Sequence, residues 1–158
     1  MPRKSSGVLM YRRPEGRLEV FIVHPGGPFF ARRDDGHWSV PKGEIEAGEA
    51  PRHVAQREFG EETGRPLEAC TGGAEWLPLG EITQRGGKRV VAWAVEGDWP
   101  DGLPLHSNEI RVEWPPRSGR TILVPEVDRG QFFEIAEARR KLNPAQEPLL
   151  DRLLELLV

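Results

Sequence analysis

Hydrophobic and polar positions divide the chain into short strands and three helical stretches. Residues 7–13 (GVLMYRR) and 18–24 (LEVFIVH) are rich in β-branched and aromatic residues, and Pro14-Glu15-Gly16 between them is a turn signal, so the pattern predicts a hairpin. Residues 24–44 carry Gly, Pro and Asp and read as loop, with a short strand within 37–40. A helix is predicted from Pro51, tolerated at a first helical position, to about Thr63, with Gly64 as its stop. Ala55 and Phe59, spaced i and i+4, face the core from that helix, beside its acidic face, which places the carboxylates at the rim of the fold. Residues 64–75 read as loop, 76–82 as a short strand, Arg85 to Lys88 as a tight turn, and 89–95 (RVVAWAV) as the clearest buried strand. Loop follows at 97–108, a period-2 strand at 109–114, and loop again at 114–120, where consecutive prolines forbid a ladder. A last short strand is expected at 131–133 and a helix over 134–142, ended by Asn143-Pro144. An amphipathic helix over 145–157 then presents Leu149, Leu150, Leu153, Leu154 and Leu157. This order predicts a mixed sheet with helices packed on it, of the α+β or layered α/β class.

Composition narrows the possibilities without naming a chemistry. A chain of 158 residues without repeats, low-complexity tracts or long linkers fits one domain with its own core, so 1–158 is expected to form a single unit. Its 18 glycines and 15 prolines predict shaped loops. A net charge of −3 argues against general nucleic-acid binding. Cys70 is the only cysteine, which leaves no intramolecular disulfide and makes a zinc–cysteine site improbable. The opening MPRKSSGVLMYRR has too short an apolar run for a signal peptide and no later stretch approaches a membrane span, so a cytoplasmic location is expected.

The charge pattern of residues 57–62 changes the picture. On a helix, Glu58, Glu61 and Glu62 lie within an arc of roughly 100°. Like charges at i, i+3 and i+4 repel, and a cation between them relieves that repulsion. All-oxygen donors of this number suit Mg²⁺ or Mn²⁺ rather than zinc. Arg57 is placed to pair with a carboxylate, Glu49 to reach back as its partner, and Gly43 to bring a backbone carbonyl close to a metal. A solvated acidic helix face is the competing explanation for such a cluster taken alone.

The whole stretch decides between them. Gly43, then Glu49, then Arg57-Glu58-Phe59-Gly60-Glu61-Glu62-Thr63-Gly64 resembles the Nudix box of the Nudix hydrolase family. One position departs: the aliphatic residue the family places after the last glycine is Arg65 here, which concerns local packing rather than the metal site. The resemblance implies an α/β/α sandwich with a central mixed sheet and Mg²⁺- or Mn²⁺-dependent hydrolysis of a diphosphate linkage. It implies Glu58, Glu61 and Glu62 as metal ligands, Glu58 or another glutamate as general base, and Arg57 as the residue that orients a glutamate. It adds Glu126, six residues ahead of Phe132, as a further ligand, with Glu96 and Glu113 as weaker alternatives.

Substrate contacts are less sharply marked. Trp38 to Glu44 (WSVPKGE) resembles the run before the box in polyphosphate-cleaving members, among them diadenosine tetraphosphate and diphosphoinositol polyphosphate hydrolases, which makes Lys42 a phosphate contact. Lys88 and Arg89 are a second phosphate contact or a charged hairpin tip. Arg117 and Arg120 sit in a Pro- and Gly-containing loop suited to bidentate phosphate binding, or face solvent. His24 and His37 lie near the expected cleft and read as neutral hydrogen-bonding residues, while Phe29 and Phe30 read as loop anchors with base stacking as the alternative. The stretch from Lys88 to Arg140 is similar to a bacterial Nudix subgroup of predicted nucleoside triphosphate pyrophosphohydrolases. The reading is hydrolysis of a nucleoside triphosphate or dinucleoside polyphosphate by a monomer or homodimer. Its alternatives are an RNA 5′ or inositol pyrophosphate hydrolase and a non-catalytic nucleotide-binding module.

Overall fold

The computed structural model describes residues 3–158. Strand β1 (Lys4–Arg12) is the strand on which the others assemble, because it is paired along both edges. On one edge it runs parallel to β5 (Arg89–Glu96), which pairs antiparallel with β4 (Trp76–Thr83). The other edge is shared. Met10 to Arg12 pair with β2 (Glu19–Pro25), and Ser5 to Gly7 pair with β3 (Lys42–Glu44). The edge therefore forks between β2 and β3, with Val8 N–H donating to the Pro41 carbonyl inside the fork. Gly7 is needed there, since a Cβ would come within 2.7 Å of the Pro41 oxygen. Strand β8 (Val127–Glu134) completes the six-stranded sheet beside β2.

Alternation along β1 distributes the core to both faces. Leu9 and Tyr11 point to one side, where Leu142, Leu149, Leu150 and Leu153 of the C-terminal region close over Val90, Ala92 and Ala94. Leu142 directly follows α3 (Ile135–Lys141), and the other three leucines belong to α4 (Glu147–Leu156). Val8 and Met10 point to the other side, where Ala55 and Phe59 of α1 (Pro51–Thr63) and Leu67 of α2 (Leu67–Thr71) pack on them. The result is the expected mixed sheet between helical layers. Of the terminal leucines, Leu149, Leu150 and Leu153 are buried, whereas Leu154 stays exposed.

The structure corrects several element assignments. Residues 42–44 form a strand although the sequence there is polar, because β1 supplies the pairing partner. Helix α2 occupies part of the expected loop 64–75, with Leu67 anchoring it in the core. Trp38 and Ser39 make only isolated bridges. Strand β6 (Glu109–Glu113) pairs with an unanticipated β7 (Thr121–Pro125) in a hairpin separate from the main sheet. The last strand begins at Val127, not Gln131, since β2 continues to pair with it as far as Pro25.

Candidate active site

Helix α1 ends on Gly64 in the left-handed conformation, φ 81°, with its N–H donating to the Gly60 carbonyl. Its first residue is tied to the sheet, as Ser6 Oγ donates to the Pro51 carbonyl at 2.6 Å. With both ends fixed, the helix turns Ala55 and Phe59 into the core and brings Glu58 and Glu62 to the fork of the sheet. Both carboxylates are buried rather than at the rim, because β3 and the segments around Glu126 cover them. Gly43 passes so close to Glu58 that a Cβ on it would overlap the Glu58 carboxyl carbon. That glycine is therefore fixed by contact, not by backbone angle.

Arg57 collects the acids on its side of the helix. Its guanidinium donates to Glu49 at 3.2 Å, to Glu58 at 3.2 Å and to Glu61 at 3.1 Å, while Glu49 also accepts the Glu46 N–H. Arg57 thus fixes the rotamers of three glutamates at once. Glu126 reaches the same region from the far end of the chain through a backbone relay. The Asn108 N–H donates to the Glu61 carbonyl, the Glu126 N–H to the Asn108 carbonyl, and the Gly26 N–H to the Glu126 carbonyl. Asn108 has no signal in the sequence, since the contact uses only its backbone.

Crowding of acids in a dry site raises their pKa values. Burial, then the Glu61 charge, push Glu58 up to about 7 against the opposing pull of Arg57. Glu62 is raised well above the ordinary carboxylate range by burial and then by Glu126, although the Lys42 ammonium opposes the shift. Lys42 in turn is lowered by burial and by Lys88. Lys42, Glu62 and Glu126 line a cavity of about 270 Å³ together with Phe30, Ile110 and Val112.

Lys88 stands at the end of the β4–β5 turn, 3.9 Å from Glu44, close enough to Lys42 for their charges to interact. Arg117 and Arg120 sit at the tip of the β6–β7 hairpin and do not line this cavity. Arg117 holds φ 61°, and its N–H and that of Gly119 donate to Glu113, which commits Glu113 to the turn. Glu96 lies on β5 against Arg13. His24 is fully buried, with Nδ1 2.8 Å from Asp128 and Nε2 2.6 Å from the Arg33 carbonyl, so it is a structural tie rather than a cleft residue. Phe30 and His37, in contrast, line the cavity.

Residues 1–153 match the family model for the NUDIX domain. The chain belongs to the Nudix hydrolase family. An 8-oxo-(d)GTP phosphatase of Mycolicibacterium smegmatis is 35% identical over 103 residues, a match that spans 63% of this chain and 27% of that protein. A bis(5′-nucleosyl)-tetraphosphatase (asymmetrical) of Caenorhabditis elegans is 26% identical over 112 residues, 70% of this chain and 77% of that one. Among solved structures, a C. elegans Ap4A hydrolase binary complex aligns with a TM-score of 0.65 at 23% identity, over 98% of this chain and 97% of the other. The Nudix box is thus the stretch from Gly43 to Gly64, and its helix is α1.

Glu58, Glu61, Glu62 and Glu126 bring carboxylates close enough for their charges to interact. Among the described residues no group of three or more His, Cys, Asp or Glu side chains stands in a metal-holding arrangement. Glu58 and Glu61 instead lean on Arg57. The chemistry still fits a hard divalent cation: the candidate donors are carboxylate oxygens beside a backbone carbonyl at Gly43, and burial, followed by the charges of neighbouring acids, disfavours the ionised forms of Glu58 and Glu62 without one. No helix among the described residues is long and apolar enough to cross a membrane.

Proposed function

We propose that this chain, acting as one domain, hydrolyses a diphosphate linkage in a nucleoside triphosphate or a dinucleoside polyphosphate. The observation that carries the reading is the meeting of buried Glu58 and Glu62 with Glu126 around Lys42, in a fold whose box supplies Arg57 and Gly43 as well. Glu58, Glu61, Glu62, Glu126 and the Gly43 carbonyl would hold Mg²⁺ or Mn²⁺, which neutralises phosphate oxygens and acidifies a nearby water.

The residues divide the work. Lys42 and Lys88 bring two ammonium groups to the polyphosphate at the mouth of the fork. Glu58 or another glutamate of the cluster would serve as the base. The water oxygen attacks phosphorus, its proton passes to that glutamate, and the P–O bond to the leaving phosphate breaks with the electron pair departing on that oxygen. Arg57 acts through the glutamates it orients and touches no reacting atom. Arg117 and Arg120 reach substrate only if a long polyphosphate extends along the hairpin, so a dinucleoside substrate is where they would matter.

The test is a substrate panel that includes Ap4A, 8-oxo-dGTP and the ordinary nucleoside triphosphates with Mg²⁺ and Mn²⁺, with products weighed by mass spectrometry. The Glu62→Gln variant is expected to lose at least about a hundredfold in kcat while remaining folded. Undiminished turnover in that variant would remove Glu62 from the mechanism, and no hydrolysis of any diphosphate by the wild type would end the reading.

A further inference from the structure

The cavity beside Lys42, Glu62 and Glu126 has an unusual wall. Phe30 and two β-branched residues of β6, Ile110 and Val112, give its lining an apolar part. Strand β6 belongs to a hairpin that pairs with nothing in the main sheet, and Ile110 remains 39% exposed there. Packing of the protein does not account for that exposure. An apolar group attached to a polyphosphate does, because Lys42, Glu62 and Glu126 line the same cavity.

Apart from the Lys42 ammonium, which the polyphosphate would engage, the hydrogen-bond donors of this lining are largely committed within the protein. The backbone N–H groups of Gly26, His37, Ser39, Val40, Glu126 and Val127 are all committed to partners within the protein. Ser39 Oγ donates to the Val40 carbonyl and accepts from Gln146. His37 Nδ1 lies 3.0 Å from the Asp35 carbonyl, so it donates there and leaves Nε2 as one acceptor.

We infer that this slot takes one nucleobase and holds it by contact without reading its hydrogen-bonding edge, which makes the site tolerant of base identity. The inference rests on the nucleotide reading of the site given above. Sites built to hydrogen-bond a substrate reject an analogue by roughly four orders of magnitude or more, whereas apolar slots discriminate by about 100-fold at most. The volume, about 270 Å³, falls below the range of roughly 300–1,000 Å³ usual for larger ligands, so the second nucleoside of a dinucleoside polyphosphate lies outside.

Pairing alternation supplies the control. Ile110 faces the cavity, while Leu123 is opposite Arg111 on the other face of the hairpin and 55% exposed. Initial rates are measured for ATP, GTP, CTP, 8-oxo-GTP and base-free methyl triphosphate on the wild type, Ile110→Ser/Val112→Ser, Val112→Thr and Leu123→Ser. Binding of α,β-methylene-ATP is measured by calorimetry on the same proteins. The four nucleotides are expected to agree in kcat/KM within about 100-fold. The double variant should raise KM for all of them by about tenfold with kcat kept, and leave methyl triphosphate unaltered. Val112→Thr, which keeps the shape and therefore the fold, should move KM in the same direction, and Leu123→Ser should not move it.

A preference of four orders for one base overturns the inference, as does a double variant with unchanged nucleotide KM or an equal change for methyl triphosphate. If the wild type turns over nothing, the hydrolase reading fails by itself. The slot is then judged by α,β-methylene-ATP: weaker binding in the double variant but not in Leu123→Ser supports it, and equal binding in all overturns it.

Discussion

Glu58 and Glu62 carry the strongest consequences at the scale of single residues. The folded protein keeps a proton on Glu58 up to about 7, whereas the same carboxyl in the unfolded chain loses it near the ordinary value of 4.5. Glu62 is shifted in the same direction. Between those values the folded state binds more protons, so the stability of the metal-free protein falls as pH rises from about 4.5 to beyond 7. The melting temperature without divalent cation should be lower at pH 8 than at pH 5.5. Millimolar Mg²⁺ should flatten that slope by replacing the proton, and Glu62→Gln should flatten it without metal. A slope identical in all three conditions would show that these acids are not strained by their neighbours. Gly43 makes a second case. A methyl group there must displace the Glu58 carboxyl, so Gly43→Ala should cost about 1–3 kcal/mol in urea unfolding and most of the activity. Arg57 at the helix surface was readable from its place in the box, but the raised pKa values of Glu58 and Glu62 were not. They depend on burial, which β3 and Glu126 impose from positions far apart in the chain.

Helix α1 is the element whose sequence and structure agree best. Pro51 and Gly64 bracket it, and its observed span is Pro51–Thr63. Strands that owe their existence to a partner were less visible. Residues 42–44 are polar and become a strand through β1, and Val127 to Gly130 contain charge and glycine yet pair with β2. Strand β7 is masked by Pro125 at its end and by the proline-rich loop before it. Five-residue α2 is too short for periodicity to announce. The box spacing therefore located Glu58, Glu61 and Glu62, while the fork that buries two of them is a product of strand pairing. The C-terminal stop of α1 joins the two kinds of information. A Cβ on Gly64 would have to adopt φ 81° and would sit 2.5 Å from the His106 carbonyl. Gly64→Ala should destabilise the protein by about 1–3 kcal/mol and also lower kcat, because the displaced segment carries Asn108 and hence Glu126. Thermal unfolding and steady-state kinetics on one preparation would test both effects, and a loss of stability with kcat intact would break the proposed link.

At the scale of the whole molecule, the two helical layers meet the site differently. The layer of α1 carries Glu58, Glu61 and Glu62. The opposite layer supplies a brace, since Gln146, wholly buried, accepts the Val40 N–H at 2.9 Å and donates to Ser39 and to Gln84. A buried amide with all three bonds made is costly to replace by an apolar isostere. Gln146→Leu should lose about 2–4 kcal/mol by chemical denaturation, and Gln146→Glu should not rescue it, because Val40 would gain an acceptor while Ser39 and Gln84 lost a donor. Equal stability of Gln146→Leu and wild type would show the brace to be dispensable. The predicted helix over 145–157 takes in Gln146, whereas the residue lies in a turn just before Glu147–Leu156, and its sequence gives no hint that its side chain reaches Val40 and Ser39.

The hairpin formed by β6 and β7 has a consequence for how such a protein changes over time. Glu109 and Pro125 are paired neighbours, so the segment leaves and re-enters the body at nearly one point. Its strands share no register with the six-stranded sheet, and its junctions are held by the backbone groups of Asn108 and Glu126, which any residue could supply. The segment 109–125 is thus a cassette. A hairpin of different length or side chains can be spliced between the same two junctions, by recombination or by design, and leave the bond-breaking apparatus in place while a new ligand preference is acquired.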